Sequence, residues 1–151
     1  MKNNDYNIDM EKDYVKQVIV IRKDLKMRQG KSCAQAAHAA MKVVLDRMLC
    51  TEYAKDSTLW EGCFVWQMTI FESEPLYRWL KGAFTKIVVS VDTEEDLFKV
   101  QYEAEQAGIL NALITDAGKT EFHGERTTTA LAIGPDWASK LDPITGNLKL
   151  L

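Results

Sequence analysis

The order of elements predicts an α/β domain of three layers, with helices on both faces of a mostly parallel central sheet. Two short runs, QVIVIR at Gln17–Arg22 and KIVVSV at Lys86–Val91, are dense enough in Val and Ile to be strands covered on both sides. Each is followed by a helix signal, and Leu113–Thr115 and Thr128–Ile133 then return to strand composition. Strand and helix in alternation fit parallel neighbours joined by crossover helices. Ligands in such folds bind at the carboxyl ends of the strands. The loop after the first strand and the DAGKT loop after the third are therefore expected to face one crevice.

The first helix is predicted from about Lys31 to Cys50, after the turn at Gly30. Lys31, Gln35, His38 and Lys42 are spaced by four, three and four residues and share one helical face. The opposite arc, Cys33, Ala37, Ala40, Val44 and Met48, is expected to pack on the sheet. A basic and imidazole-bearing stripe opening at a helix N-terminus suits an anion. The second long helix opens at Asp92-Thr93, where Glu94, Glu95 and Asp96 complement its positive end. Its buried face is expected to hold Leu97, Val100, Ala104 and Ala107, and Gly108 ends it. A short helix is expected from near Pro135-Asp136, with ITGNLKLL closing the chain as an added edge. In Thr51–Leu80, the run Phe64–Phe71 reads as a strand or hairpin arm, and Pro75–Trp79 opens a helical stretch.

The chain of 151 residues fits one domain, read as residues 16–151, behind a flexible tail over 1–15. With 46% apolar and 27% charged residues it reads as soluble and globular. A net charge of −3 does not by itself call for nucleic acid, but Lys16 to Lys31 holds six Lys or Arg against one acid, Asp24. Local charge, not the sum, steers a polyanion. Three cysteines without metal-ligand spacing argue against a disulfide framework, and Cys33 is expected to be a small buried hydrophobe. No apolar run reaches membrane-spanning length, and the N-terminal residues carry no signal or transit pattern. A cytoplasmic location, with no membrane partner, is the expectation.

Three segments together carry a family resemblance: QVIVIRKDLKMRQGKSCAQAAHAA, KIVVSVDTEEDLFKVQYEAEQAGILNALITDAGKTE and ALAIGPDWASKLDPITGNLKLL. In this order, over well over half the chain, they resemble the type 2 (archaeal and eukaryotic) peptidyl-tRNA hydrolases. The resemblance implies a four-stranded mixed sheet with helices on both faces. It also implies hydrolysis of the ester joining a peptide to the 3′ end of tRNA, without a metal or organic cofactor. Family members often pair, so a homodimer is one expectation. The family's functional positions map onto Lys26, Lys31, Gln35, His38, Asp116 and Thr120, and onto Thr129 counted back from Ile133-Gly134-Pro135. The chain departs from the pattern in three places. Gln29 stands where many members have Lys, with Arg28 beside it as a substitute. HGERTTT is one residue longer than usual, which leaves Thr128 as an alternative to Thr129. The 51–80 segment is enlarged.

Ester hydrolysis needs a positioned water, a proton acceptor and donors for the oxyanion. Asp116 is expected to accept or orient the proton, directly or through Thr120, and Thr129 to hold the water or the oxyanion. Lys31 would stabilise negative charge, and His38 would relay a proton or bond the tRNA end. Arg22, Lys23, Lys26, Arg28 and Lys31 would contact phosphates. Trp60, Trp66, Trp79 and Trp137 are candidates for stacking on a single-stranded 3′ end. Singly, each residue has a plainer reading. Asp116 opens a common turn, the threonines suit a strand, Lys31 and His38 suit a solvated helix flank, and His123 suits a loop. Two rival functions use the same fold: an RNA- or protein-binding module without turnover, and a hydrolase of another acyl ester.

Overall fold

A computed structural model describes residues 13–52 and 62–151. The elements are β1 (Val15–Arg22), α1 (Gln29–Leu45), β2 (Leu49–Glu52), β3 (Phe64–Gln67), α2 (Pro75–Lys81), β4 (Lys86–Val91), α3 (Glu94–Gln106), β5 (Asn111–Asp116), β6 (Thr127–Trp137), α4 (Ala138–Thr145) and β7 (Lys149–Leu150). Trp60, with the rest of 53–61, lies outside the described residues, as does most of the expected tail. Asp13 is already held to α4, its carboxylate accepting from the Ser139 backbone N–H at 3.0 Å.

The sheet differs from the four-stranded, mostly parallel one expected. It has five strands in the order β5-β6-β1-β4-β7, and β1–β4 is its one parallel pairing. β6 follows β5 across the loop 117–126 and returns beside it, so it runs antiparallel and wedges between β5 and β1. Composition does not encode strand direction, which is why the alternation of strand and helix was silent on this return. β1, β4 and β5 still point the same way, so their carboxyl ends share one edge of the sheet. The closing residues do add an edge, with Leu150 opposite Val89.

Helices cover both faces. Val18, Val20, Val89, Val91, Leu131 and Ile133 pack beneath Leu97, Val100 and Ala104 of α3 and Leu141 of α4. Ile19, Ile21, Ala112, Ile114, Ala130 and Ala132 face Ala39 and Val43 of α1. Alternate residues of β1 thus serve opposite faces, as the period of two in a strand requires. Alanines on both sides of the second interface let α1 lie close to the sheet, and that closeness brings a polar side chain of α1 against β6.

Helix α3 follows its sequence pattern. The Thr93 hydroxyl accepts from the Asp96 N–H at 3.0 Å, and Gly108 leaves the helix at φ +64°. Leu97, Val100 and Ala104 are buried, while Ala107 is exposed as the C-cap. Helix α1 does not follow its pattern. Its buried residues are Gln35, Ala39 and Val43, while Cys33 and Ala37 face solvent. The expected apolar arc is displaced by about a third of a turn, and Cys33 is not the buried hydrophobe expected. The helix also stops at Leu45, because Leu49 and Cys50 belong to β2, which pairs with β3 as a separate ribbon.

Candidate active site

The site forms where the carboxyl ends of β1 and β5 meet the first turn of α1. Asp116 is the last residue of β5, and its two carboxylate oxygens have separate partners. Oδ1 accepts from the Gly118 N–H at 2.8 Å, the local turn that an Asp-Ala-Gly sequence favours. Oδ2 accepts from Lys31 Nζ at 2.5 Å and from Gln35 Nε2 at 3.0 Å. One oxygen thus closes the local turn, and the other joins Lys31 and Gln35.

Gln35 is 1% exposed and carries the network inward. Its Oε1 accepts from the hydroxyl of Thr129, itself fully buried, at 2.5 Å. The amide orientation follows from these partners, with the NH2 toward the carboxylate and the oxygen toward the hydroxyl. The hydroxyl of Thr129 enters the network, whereas the Thr128 carbonyl accepts from Arg22 at 2.9 Å. Of the two threonines left open, Thr129 is the one joined to Asp116. Both Gln35 and Thr129 are buried, with only the edge of Gln35 at the groove, so each bears on the site by holding Asp116 in place.

Lys31 faces the crevice. Its ammonium donates to Asp116 and to Thr120 Oγ1 at 3.1 Å, and stands 5.5 Å from the centroid of the Phe122 ring. Thr120, Glu121 and Phe122 reach this position because loop 117–126 folds back on itself. Gly124 N–H donates to Gly118 O at 3.0 Å, and a Cβ on Gly118 would lie 2.3 Å from Glu125 O. Gly118 also sits at φ +78°, so the loop needs glycine there on two counts. Glu121 accepts from Arg28 Nε at 2.7 Å, tying the loop to the residue that caps α1. Neither Glu121 nor Phe122 carries a local sequence signal that would single it out; their roles come from the fold of the loop.

The hydrogen bond from Lys31 holds the Asp116 carboxyl below the usual carboxylate range, against the opposing effect of burial. The Gly118 N–H adds to the lowering. Asp116 is thus ionised throughout the neutral range, a firm acceptor and a weak base. A cation in the first turn of α1 opposes the helix dipole, and the Asp116 carboxylate supplies the compensation.

The remaining expected residues divide. His38 and Lys42 are exposed and line a groove that runs away from Asp116; Lys42 pairs with Asp46 at 2.8 Å. Arg22 is committed elsewhere, bonded to Asp24, Glu94 and the Thr128 carbonyl, with its side chain 11% exposed. These bonds brace the carboxyl ends of the strands. Lys23 and Lys26 are exposed in the loop from β1 to α1, and Arg28 is exposed but paired with Glu121. Of the tryptophans, Trp79 is buried and bonds Thr85 O, Trp137 is half-buried beneath Arg78, and Trp66 is exposed on the β2–β3 ribbon. No helix among the described residues is long and apolar enough to cross a membrane.

Comparison with known proteins agrees along nearly the whole chain. The profile of the family described as "Peptidyl-tRNA hydrolase PTH2" matches residues 15–151. A peptidyl-tRNA hydrolase of Methanothermobacter thermautotrophicus is 37% identical over 137 residues, spanning 91% of this chain and 100% of the relative. That of Sulfurisphaera tokodaii is 39% identical over 136 residues, 90% of this chain and 98% of the relative. A third, from Thermococcus sibiricus, is 36% identical over 140 residues, 90% and 97% respectively.

Proposed function

This chain belongs to the PTH2 family of peptidyl-tRNA hydrolases, and we propose that it hydrolyses the peptide–tRNA ester at the Lys31–Asp116 pair. The observation that carries the assignment is the meeting of two separated segments, α1 and the β5 end with its loop, at one carboxylate oxygen and the lysine bonded to it, with Thr129 of β6 bonded behind Gln35. An ammonium, a hydroxyl and a carboxylate then stand together at the mouth of the crevice. Water adds to the ester carbonyl, whose oxygen gains negative charge; as the carbonyl re-forms, the bond from the acyl carbon to the ribose oxygen breaks, and the ribose oxygen leaves with the proton given up by the attacking water. Lys31 stabilises the developing oxyanion. Asp116 and Thr120 orient the attacking water. Because its proton affinity is lowered, Asp116 serves better as an acceptor that aims the water than as the final holder of its proton. Gln35 and Thr129 keep the carboxylate aimed, and His38 lines the groove that leads away from it.

Lys23, Lys26 and Arg28 contact phosphates of the tRNA end, which makes binding depend on salt. Phe122, beside Lys31, offers a ring for the terminal base. The enzyme works in the cytoplasm, as a domain spanning about residues 16–151, and a homodimer is compatible with this reading.

The test is release of peptide from N-acetylaminoacyl-tRNA by the wild-type protein beside Asp116→Ala and Lys31→Ala. Both substitutions should lower turnover by about a hundredfold or more, while Asp116→Ala retains tRNA binding. A well-folded wild-type protein that binds tRNA without releasing peptide would refute the hydrolase reading.

A further inference from the structure

β5 is hydrogen-bonded to β6 on one side and ends the sheet on the other. Leu110 O accepts from Gly134 N–H at 2.7 Å, which sets the parity of the strand. The backbone groups of Ala112, Ile114 and Asp116 therefore turn toward β6, and those of Leu113 and Thr115 turn outward. The 3.4 Å approach of the Thr129 hydroxyl to Ile114 O, from the β6 side, agrees. Among the described residues, no hydrogen bond reaches the outward N–H and C=O of Leu113 or Thr115. Such an edge is commonly covered or guarded. Here a groove of about 370 Å3 runs alongside it, with Gln35, His38 and Lys42 on one wall and Leu113–Ala117 on the other, and it opens onto Asp116.

We propose that this edge binds the peptide moiety of peptidyl-tRNA as an added β-strand; the inference rests on the hydrolase reading above. Continuity comes first, since the groove shares Gln35 and Asp116 with the site. Direction follows. The ester sits on the peptide's carboxyl end and lies at Asp116, where β5 also ends. The peptide therefore runs parallel to β5 and extends back along the groove, while the tRNA leaves over Lys23 and Lys26. Selectivity is the third argument. The ester and the tRNA end are common to all such substrates and the side chains are not, and main-chain pairing recognises a strand whatever its sequence. Outward groups recur every second residue, about 6.6 Å apart. Thr115 is thus reached by a short peptide and Leu113 by one two residues longer.

The experiment measures kcat/KM for tRNA carrying one to four N-acetylated residues, and for the longest peptide with each backbone amide N-methylated in turn. Strand addition predicts a rise of about fivefold for each hydrogen bond gained and an alternating response to methylation, one amide sensitive and the next indifferent. Thr115→Pro, which removes an outward N–H at an edge position that tolerates proline, should abolish the one step of the length series that depends on that N–H and keep the step at Leu113. Rates indifferent to both length and methylation would overturn the proposal and leave the hydrolase reading standing. Absence of turnover on every substrate overturns both.

Discussion

Helices α1 and α3 pack on opposite faces of one sheet, yet only α3 keeps its polar and apolar sides where its sequence places them. The buried line of α3 is Leu97, Val100 and Ala104. The buried line of α1 is Gln35, Ala39 and Val43, with an amide in the position a hydrophobe would normally take. Burying an amide is costly unless its hydrogen bonds are met. Gln35 meets them with Asp116 and Thr129, and Asp116 is the residue that faces the crevice. The two helices thus do different work: α3 holds the fold, while α1 accepts polar burial in order to aim a carboxylate.

Substitutions can separate these roles. Leu97→Ala, at a fully buried position of α3, should cost about 2–5 kcal/mol of stability and leave turnover per folded molecule unchanged. Denaturant unfolding and a specific-activity assay on the same samples check both halves. Gln35→Leu keeps the shape but leaves the Thr129 hydroxyl only its 3.4 Å contact with Ile114 O and takes one donor from Asp116. It should cost about 1–3 kcal/mol and lower kcat by about a hundredfold, the size of effect expected from a misplaced group. Loss of stability without loss of kcat would make Gln35 a packing residue, like those of α3.

A pH titration sharpens the contrast further. The Asp116 carboxyl is lowered in the folded protein, first by Lys31, so its stabilising effect is present above the unfolded-state value and is lost as pH falls through the folded one. In Lys31→Ala the largest lowering influence is gone and burial still acts upward. The Asp116 carboxyl should then titrate at higher pH than in the wild type, as followed by NMR of the side-chain carboxyl. An unchanged titration would mean that Gly118 and Gln35 hold the charge without the lysine. The smallest effect belongs to Thr93→Ala, which removes the α3 cap and should cost about 1 kcal/mol in thermal unfolding with no change in turnover.

How much was legible in the sequence follows the same division. α3 could be read from its cap, its apolar spacing and its terminal glycine, because helix ends and amphipathic faces are local properties. β1 and β4 were legible because a strand covered on both sides must be apolar throughout. Lys31, Asp116 and Thr120 could be named from ordered family motifs, and the fold brings them within hydrogen-bonding distance. The exposed side of Cys33 was misread because the helix alone shows two low-polarity arcs, and contact with the sheet selects between them. The bond that holds Arg22 was not legible, because its partner Glu94 is distant in sequence.

By itself the sequence determined the principal strands β1 and β4, where α3 begins and ends, and the ordered motifs that carry the family resemblance. These follow from backbone preference, hydrophobic spacing and motif order, all of which are written along the chain. Tertiary structure alone decided that β6 returns between β5 and β1, that Gln35 turns inward, that Thr129 rather than Thr128 joins Asp116, and that the outer edge of β5 stays open beside the site. Each of these depends on which surfaces meet, and a local pattern is compatible with more than one such meeting until the burial of the whole sheet selects among them.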